Sequence, residues 1–263
     1  MKLLHASLTD TGRVREQNED SIWVERYGNG DLLCIVADGM GGHRAGEVAS
    51  RMVCREIGWF FANASPKQLS MAFDPKLSVD ENMMSLALRA ANRRVYQEAS
   101  SIREHAGMGS TVVAAYWREA QNRNDIVEKK LVIGHAGDSR AYRARMGAPM
   151  RQLTEDHSLA AQVLKALSPE ERKKVDKRDL HTNVILKAMG TAADVDPTVQ
   201  SVGVRLGDTF LLCSDGLTGM VPDHQIQLIA QKKPLAEVPK RLVDAANAAG
   251  GEDNISVIAM RAT

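Results

Sequence analysis

Four aspartates stand where apolar runs end or begin. Asp38 closes Leu32 to Ala37, and Asp138 follows the run from Lys130 to Gly137. Asp215 follows Phe210-Leu211-Leu212-Cys213 and Ser214, and Asp253 stands just before Ile255 to Met260. Three of them lie among turn formers: Asp38-Gly39, Gly137-Asp138-Ser139 and Ser214-Asp215-Gly216. Any one alone reads as a simple turn. Four such sites at the edges of hydrophobic strands bring several carboxylates into one cleft if the strands pair. Without cations that cluster would repel itself and drive some groups to protonate. Hard divalent cations such as Mg2+ or Mn2+ resolve the conflict, because they prefer carboxylate, carbonyl and water oxygens. Glu19-Asp20 adds two acids, preceded by Arg15. An arginine beside an acidic metal cleft points to an anionic substrate such as a phosphate, gripped by two parallel hydrogen bonds. The alternative is an exposed Arg15–Glu19 ion pair worth little.

Other chemistries fail on the same text. A cysteine-dependent phosphatase needs Arg six positions after its Cys, where Cys34, Cys54 and Cys213 have Met40, Phe60 and Gly219. There is no His-Glu-x-x-His zinc motif and no Gly-x4-Gly-Lys-[Ser/Thr] loop. Gly39-Met40-Gly41 begins like a dinucleotide fingerprint, but Arg44 holds the third glycine position and Asp38 would repel a pyrophosphate. A calcineurin-type metallophosphatase needs a second Asp three residues after Asp138, where Ala141 stands.

The elements that must position these acids are short β-rich runs and a few longer helices. Lys130 to Arg143 reads as strand, tight Gly-Asp-Ser turn and strand, a hairpin that favours an antiparallel sheet. Val48, Met52, Val53, Ile57, Phe60 and Phe61 form one helical stripe. A second helix is expected from Asp80, its N-cap, through Met84, Leu88, Ala91, Val95 and Ala99. Ser168-Pro169-Glu170-Glu171 combines a capping box with proline at the first helical position. A last helix spans roughly Leu235 to Ala248 and stops at Gly250-Gly251. Residues 62–79 and 119–128 read as loops. The expected architecture is one domain over 1–263, a sheet core with helices packed outside it.

Composition excludes several classes. Of 263 residues, 44% are hydrophobic and 25% charged, as in an ordinary globular protein. Lys and Arg number 34 against 33 Asp and Glu, a net charge of +1 that argues against a nucleic-acid or anionic-membrane binder. Three cysteines in apolar runs read as buried thiols in a reducing compartment. Met1 to Asp10 holds no signal-peptide core and no apolar run is long enough to span a bilayer, so the expected address is the cytoplasm.

The motifs also occur in a recognisable order. Gly12-x-Val14-Arg15-x-x-Asn18-Glu19-Asp20 precedes Ala37-Asp38-Gly39-Met40-Gly41-Gly42-His43-x-Ala45-Gly46-Glu47. Gly109-Ser110-Thr111, Gly137-Asp138-Ser139-Arg140, Leu153-Thr154-x-Asp156-His157-Ser158, Ser214-Asp215-Gly216-Leu217 and Asp253-Asn254 follow. In this set the chain resembles the type 2C (PPM family) metal-dependent serine/threonine protein phosphatases, in their compact bacterial form, over about Ser7 to Met260. The resemblance implies an α+β fold: a central antiparallel β-sandwich flanked by helices on both outer faces. It implies a Mn2+ or Mg2+ centre of two ions with a third. By position, Asp38 bridges two ions and Gly39 lends its carbonyl, while Asp215 and Asp253 complete the pair. Asp138, with Asp215, corresponds to the third-ion ligand. Glu19 and Asp20 hold metal-bound waters, Asn254 sits behind the ligands, and Arg15 corresponds to the phosphate-binding arginine.

The reaction so implied is hydrolysis of phosphoserine and phosphothreonine by a metal-activated water, with no covalent phosphoenzyme. Many eukaryotic members place a histidine after Asp-Gly as general acid. Met40 stands here instead, leaving His43 or a metal-bound water for that role. Residues at about 158–188 match the family's variable flap, where Arg172, Lys173, Lys174, Lys177 and Arg178 either position a phosphoprotein or form a solvated helix. His181 at its end has no assignable role. Phosphorylated proteins and a cognate kinase are the expected partners of a monomer. A phospho-dependent binding module conflicts with the full ligand set, whereas small phosphate esters or a phosphorylated anti-sigma-factor partner would use the same cleft chemistry.

Overall fold

The computed structural model describes residues 1–41, 44–64, 73–118, 129–172 and 184–263. Its strands are β1 (Leu3–Asp10), β2 (Asp20–Arg26), β3 (Leu32–Met40), β4 (Gly109–Ser110), β5 (Val112–Trp117), β6 (Lys130–Ala136), β7 (Arg140–Ala144), β8 (Arg151–Gln152), β9 (Thr198–Gly203), β10 (Thr209–Cys213) and β11 (Ile255–Ala262). They form two antiparallel sheets, ordered β1-β11-β10-β7-β8 and β2-β3-β5-β6-β9, with β4 paired to β3.

Period-two alternation in β3 shows why the sheets are covered on both sides. Leu32, Cys34 and Val36 face the opposite sheet, where they pack with Phe210, Leu212, Ile258 and Met260. Leu33, Ile35 and Ala37 face outward and are buried under two helices. These are α1 (Arg44–Asn63), which contributes Ala49, Met52, Val53 and Ile57, and α2 (Val79–Ser101), which contributes Met84, Leu88, Ala91 and Val95. The far face of the other sheet carries Tyr142, Leu211, Val257 and Ala259 beneath two more helices. For convenience the short helices Leu159–Ala166, Pro169–Arg172 and Asp215–Thr218 are α3, α4 and α5, so these two are α6 (Asp223–Lys232) and α7 (Val238–Ala248). The helix–sheet–sheet–helix order is the expected one.

Three local expectations change. Helix α2 is capped by Ser78, not Asp80: Ser78 and Glu81 form a reciprocal capping box, and Asp80 falls inside the first turn. Residues Leu235–Glu237 form a single 3-10 turn before α7 begins at Val238. Most consequential, Lys130–Arg143 is not a hairpin. Strand β6 pairs β5 and β9, whereas β7 pairs β10 and β8 in the other sheet. The Gly137-Asp138-Ser139 turn therefore carries the chain across the sandwich, and periodicity cannot tell that crossing from a hairpin. The capping box at Ser168 and Glu171 is present as expected. The free cysteines are buried. Residues 65–72 and 119–128 of the expected loops lie outside the described residues, as do Lys173, Lys174, Lys177, Arg178 and His181.

Candidate metal centre and phosphate site

Register alone brings the acids together. Asp20 at the start of β2 lies opposite Asp38 near the end of β3. In β5 and β6, Val112 lies opposite Ala136, so the β6 terminus and the Asp138 turn reach the same end of that sheet. In the facing sheet, Cys213 at the end of β10 lies opposite Val257 near the start of β11, with Asp215 and Asp253 just beyond. The crossing turn at Asp138 joins the two sheets at this end. Asp38, Asp138, Asp215 and Asp253 are half-buried at a common rim, and Asp20 is buried behind them.

The main chain here is tightly interlocked. The N–H of Gly39 donates to the Glu19 carbonyl at 3.2 Å. A side chain at Gly39 would meet the Gly46 carbonyl oxygen at 2.1 Å, so only glycine permits this approach of β3 to the first turn of α1. Asn254 ties the opposite wall. Its Oδ1 accepts from the Glu19 N–H at 2.8 Å, and its Nδ2 donates to the Thr11 and Gln17 carbonyls, each at 2.9 Å. Asn254 thus fixes the loop carrying Arg15 and Glu19 against the start of β11. Arg15 Nη2 donates to Asp253 Oδ2 at 2.8 Å, which sets its guanidinium at the rim.

The electrostatics are those of acids forced together. Although part of Asp38 meets solvent, surrounding protein atoms push its pKa well above the carboxylate range, helped by the charges of Asp20, Asp215, Asp138 and Asp253. Burial likewise raises Asp138 to about 7, with Asp215 and Asp156 adding to it and Arg140 opposing. Asp20 rises to about 7 by burial, against hydrogen bonds from Ser256 and Ser214. Asp215 is raised by burial and by Asp253, against a hydrogen bond with Asp38.

Asp20 Oδ1, Asp138 Oδ1 and Asp215 Oδ1 are buried with no hydrogen-bond partner. Such oxygens are costly unless a proton or cation meets them. Among the described residues no three acidic, His or Cys side chains enclose an ion as they stand. The fit to a cation therefore lies in donor chemistry: hard carboxylate oxygens, buried, crowded and unpartnered, with no nitrogen or sulfur ligand among them.

Sequence reasoning gave no role to three hydroxyls that organise this rim, although its motifs contain them. Ser214 Oγ donates to Asp20 Oδ2 at 2.7 Å and accepts from the Ser256 N–H at 3.0 Å. The Asp38 carbonyl accepts from the Thr111 N–H at 2.8 Å, and the Thr111 and Ser139 hydroxyls are 2.7 Å apart. That pair links Asp38 to the Asp138 turn. Buried hydroxyls next to a candidate ligand in sequence are a readable signal of support, but their partners are set by the fold. His43 lies outside the described residues.

A family model for protein phosphatase 2C matches residues 12–256. The serine/threonine phosphatase stp of Listeria innocua is 36% identical over 259 residues, covering 97% of this chain and 94% of that relative. The S. agalactiae serine/threonine phosphatase structure gives a TM-score of 0.81 at 32% identity, covering 99% of this chain and 100% of its own. The catalytic domain of the serine threonine protein phosphatase PstP, solved in complex with 2 manganese ions, gives 0.76 at 31% identity, covering 98% of this chain and 97% of its own. By sequence and by fold alike, this chain belongs to the protein phosphatase 2C family.

Proposed function

We propose that this chain hydrolyses phosphoserine and phosphothreonine in proteins at the rim where Asp38, Asp138, Asp215 and Asp253 meet, opposing a protein kinase in the cytoplasm. The observation that carries the assignment to this rim is the convergence of acids from both sheets with buried carboxylate oxygens left unpartnered. Asp38, the Gly39 carbonyl, Asp215 and Asp253 would hold two Mn2+ or Mg2+ ions, and Asp138 with Asp215 a third. When bound, the cations acidify water and screen the phosphate's charge.

The chain's own residues do the rest. Arg15 has guanidinium donors beyond the one engaged by Asp253, and these grip the phosphate oxygens and stabilise the charge that grows on them. Asn254 keeps the Arg15 loop in register with β11. Glu19 and Asp20 orient water around the cluster. Met40 carries no titrating proton, so the leaving serine or threonine oxygen takes its proton from His43 or from water. Turnover of phosphoserine and phosphothreonine peptides before and after chelation, with Mn2+ and Mg2+ added back, tests the reading. Full turnover by metal-stripped protein would overturn it.

A further inference from the structure

Asp138 differs from its neighbours in what holds it. Among the hydrogen bonds described, no side chain anchors its carboxylate, and its Oδ1 is buried without a partner. Its aim is therefore set by the backbone of the crossing turn. Gly137 in that turn has φ +111°, and a Cβ there would meet Thr111 Cβ at 2.6 Å, so Thr111 closes one side. The other side is closed by His157. Its backbone N–H donates to the Gly137 carbonyl at 2.9 Å, and its Nδ1 accepts from the Gly137 N–H at 3.2 Å. One residue thus engages both backbone polar groups of Gly137, in the two peptide units that lead into Asp138.

The rest of the His157 ring is arranged to keep Nδ1 an acceptor. Nε2 lies 3.1 Å from Thr198 Oγ1, which can accept a hydrogen bond from the Nε2–H. The ring stacks on His135, with centroids 4.6 Å apart and planes 8° from parallel. His135 Nε2 lies 2.9 Å from the Glu155 carbonyl, which can only accept, so that ring also carries its proton on Nε2. Burial, with His135 and Lys187 nearby, lowers the His157 pKa to about 4, keeping the ring neutral at physiological pH. His157 also receives the Leu186 N–H on its carbonyl at 2.7 Å. It thereby joins the Asp138 turn to the far limb of the flap.

We propose that His157 is a positioning residue: by clamping the Gly137 N–H and C=O through Nδ1 and its own N–H, it aims Asp138 at the cation that Asp138 holds. This rests on the reading of Asp138 as ligand to the third ion. Conservative variants separate positioning from packing. His157→Asn places an amide oxygen near the position of Nδ1 and can still accept from Gly137. His157→Gln carries its amide out toward Thr198 and abandons that bond.

The full chain is titrated with Mn2+ by calorimetry, and exchange of the Gly137 amide proton is followed by NMR. His157→Gln should weaken the last Mn2+ bound by about tenfold or more, as loss of a group supporting a ligand typically does. The two tighter ions should be unaffected. Gly137 exchange should quicken by a similar factor, and His157→Asn should restore both. Wild-type behaviour of His157→Gln, or equal loss in both variants, overturns the proposal. Should His157→Gln fail to fold, Thr198→Val serves instead: it removes the Nε2 partner, and imidazole 15N shifts should report a growing Nδ1–H tautomer with weaker binding of the last Mn2+. Unchanged shifts and binding count against the proposal. Asp138→Ala run alongside isolates the underlying reading. If it keeps every Mn2+ site, Asp138 is no ligand and the positioning role falls with it. If it loses one while His157→Gln does not, only the role of His157 is overturned.

Discussion

Strand β10 carries an aspartate beyond each end, Asp208 buried and Asp215 half-buried, and the two are opposites. Asp208, before Thr209, is fully paired. Arg145 Nε and Nη2 donate to its two oxygens at 2.6 and 2.7 Å, and the Arg205 N–H adds a third bond at 2.8 Å. Burial pulls its pKa up, but these bonds outweigh burial and hold it below the usual carboxylate value. Asp215, beyond Cys213, has one oxygen buried without a partner, faces Asp253 and Asp38, and is pushed upward. The same residue type at opposite ends of five residues of strand is structural at one end and chemically poised at the other. What separates them is the company: two guanidinium bonds against three further carboxylates. An acid cluster with too few cations of its own is a demand for cations from outside.

The largest expected effect lies at the poised end. Asp38→Asn should lower phosphopeptide turnover by roughly three orders of magnitude or more, because one carboxylate serves the whole cluster. The same change should stabilise chelated protein in urea unfolding, since it removes a charge that its neighbours repel. Near-normal kcat in Asp38→Asn would break the assignment. At the paired end the pattern inverts. Asp208→Asn leaves Arg145 without its partner and should cost about 2–4 kcal/mol of unfolding free energy, with kcat/KM of the folded enzyme unchanged. A variant as stable as the parent would show that the ion pair adds nothing, and a fall in kcat/KM would show that the two ends are coupled.

Arg15 sits between these cases. It is paired with Asp253, yet its side chain is 52% exposed, so that contact contributes little to stability. Its contribution should appear on phosphate instead. Arg15→Ala should reduce kcat/KM by one to two decades, the ~1.5–3 kcal/mol of a charged hydrogen bond. Arg15→Lys should recover only part, because an ammonium cannot present the planar fork. Unchanged kinetics in Arg15→Ala would reduce the residue to a rim ion pair.

The contrast also marks what sequence can reveal. Asp38, Asp138, Asp215 and Asp253 were legible because each stands beside an apolar run, and antiparallel register gathers such ends without fine detail. The pairing of Asp208 with Arg145 was not legible, since nothing local in either segment names a partner 63 residues away. The layers followed from alternation in runs such as Leu32 to Ala37. The crossing at Asp138 did not, because a glycine turn serves equally to reverse within a sheet or to change sheets. His157 was visible within a motif, but its bond to Gly137 and its stacking on His135 depend on two loops meeting. Likewise Ser78 and Asp80 are both good caps in composition, and only the bond to Glu81 decides between them.

The smallest effect, and the one that reads both ends together, is the pH dependence of stability in chelated protein. Asp20 and Asp138 have folded pKa values of about 7, above the ~3.9 of an unfolded aspartate. Their contribution is complete below about pH 4 and is lost as pH rises through 7, so these acids lower stability across that interval. Asp208 has the opposite sign: its folded pKa lies below the unfolded one, so its contribution is complete above about pH 4 and vanishes only in stronger acid. Between pH 4.5 and 8 Asp208 adds no slope, whereas His157, lowered to about 4, adds one of opposite sign up to about pH 6.5, so the slope of the poised end is the part that Asp138→Asn removes. It should not exceed about 1.4 kcal/mol per pH unit for each group that titrates. Urea unfolding in chelator should show this decline, Asp138→Asn should lessen it, and Asp208→Asn should shift the curve downward without changing its slope. Saturating Mn2+ should flatten it, because a cation replaces the proton as partner of the carboxylates. A profile in chelator that Asp138→Asn leaves unchanged would mean that this acid does not burden the fold, and the distinction between the two ends of β10 would lose its energetic basis.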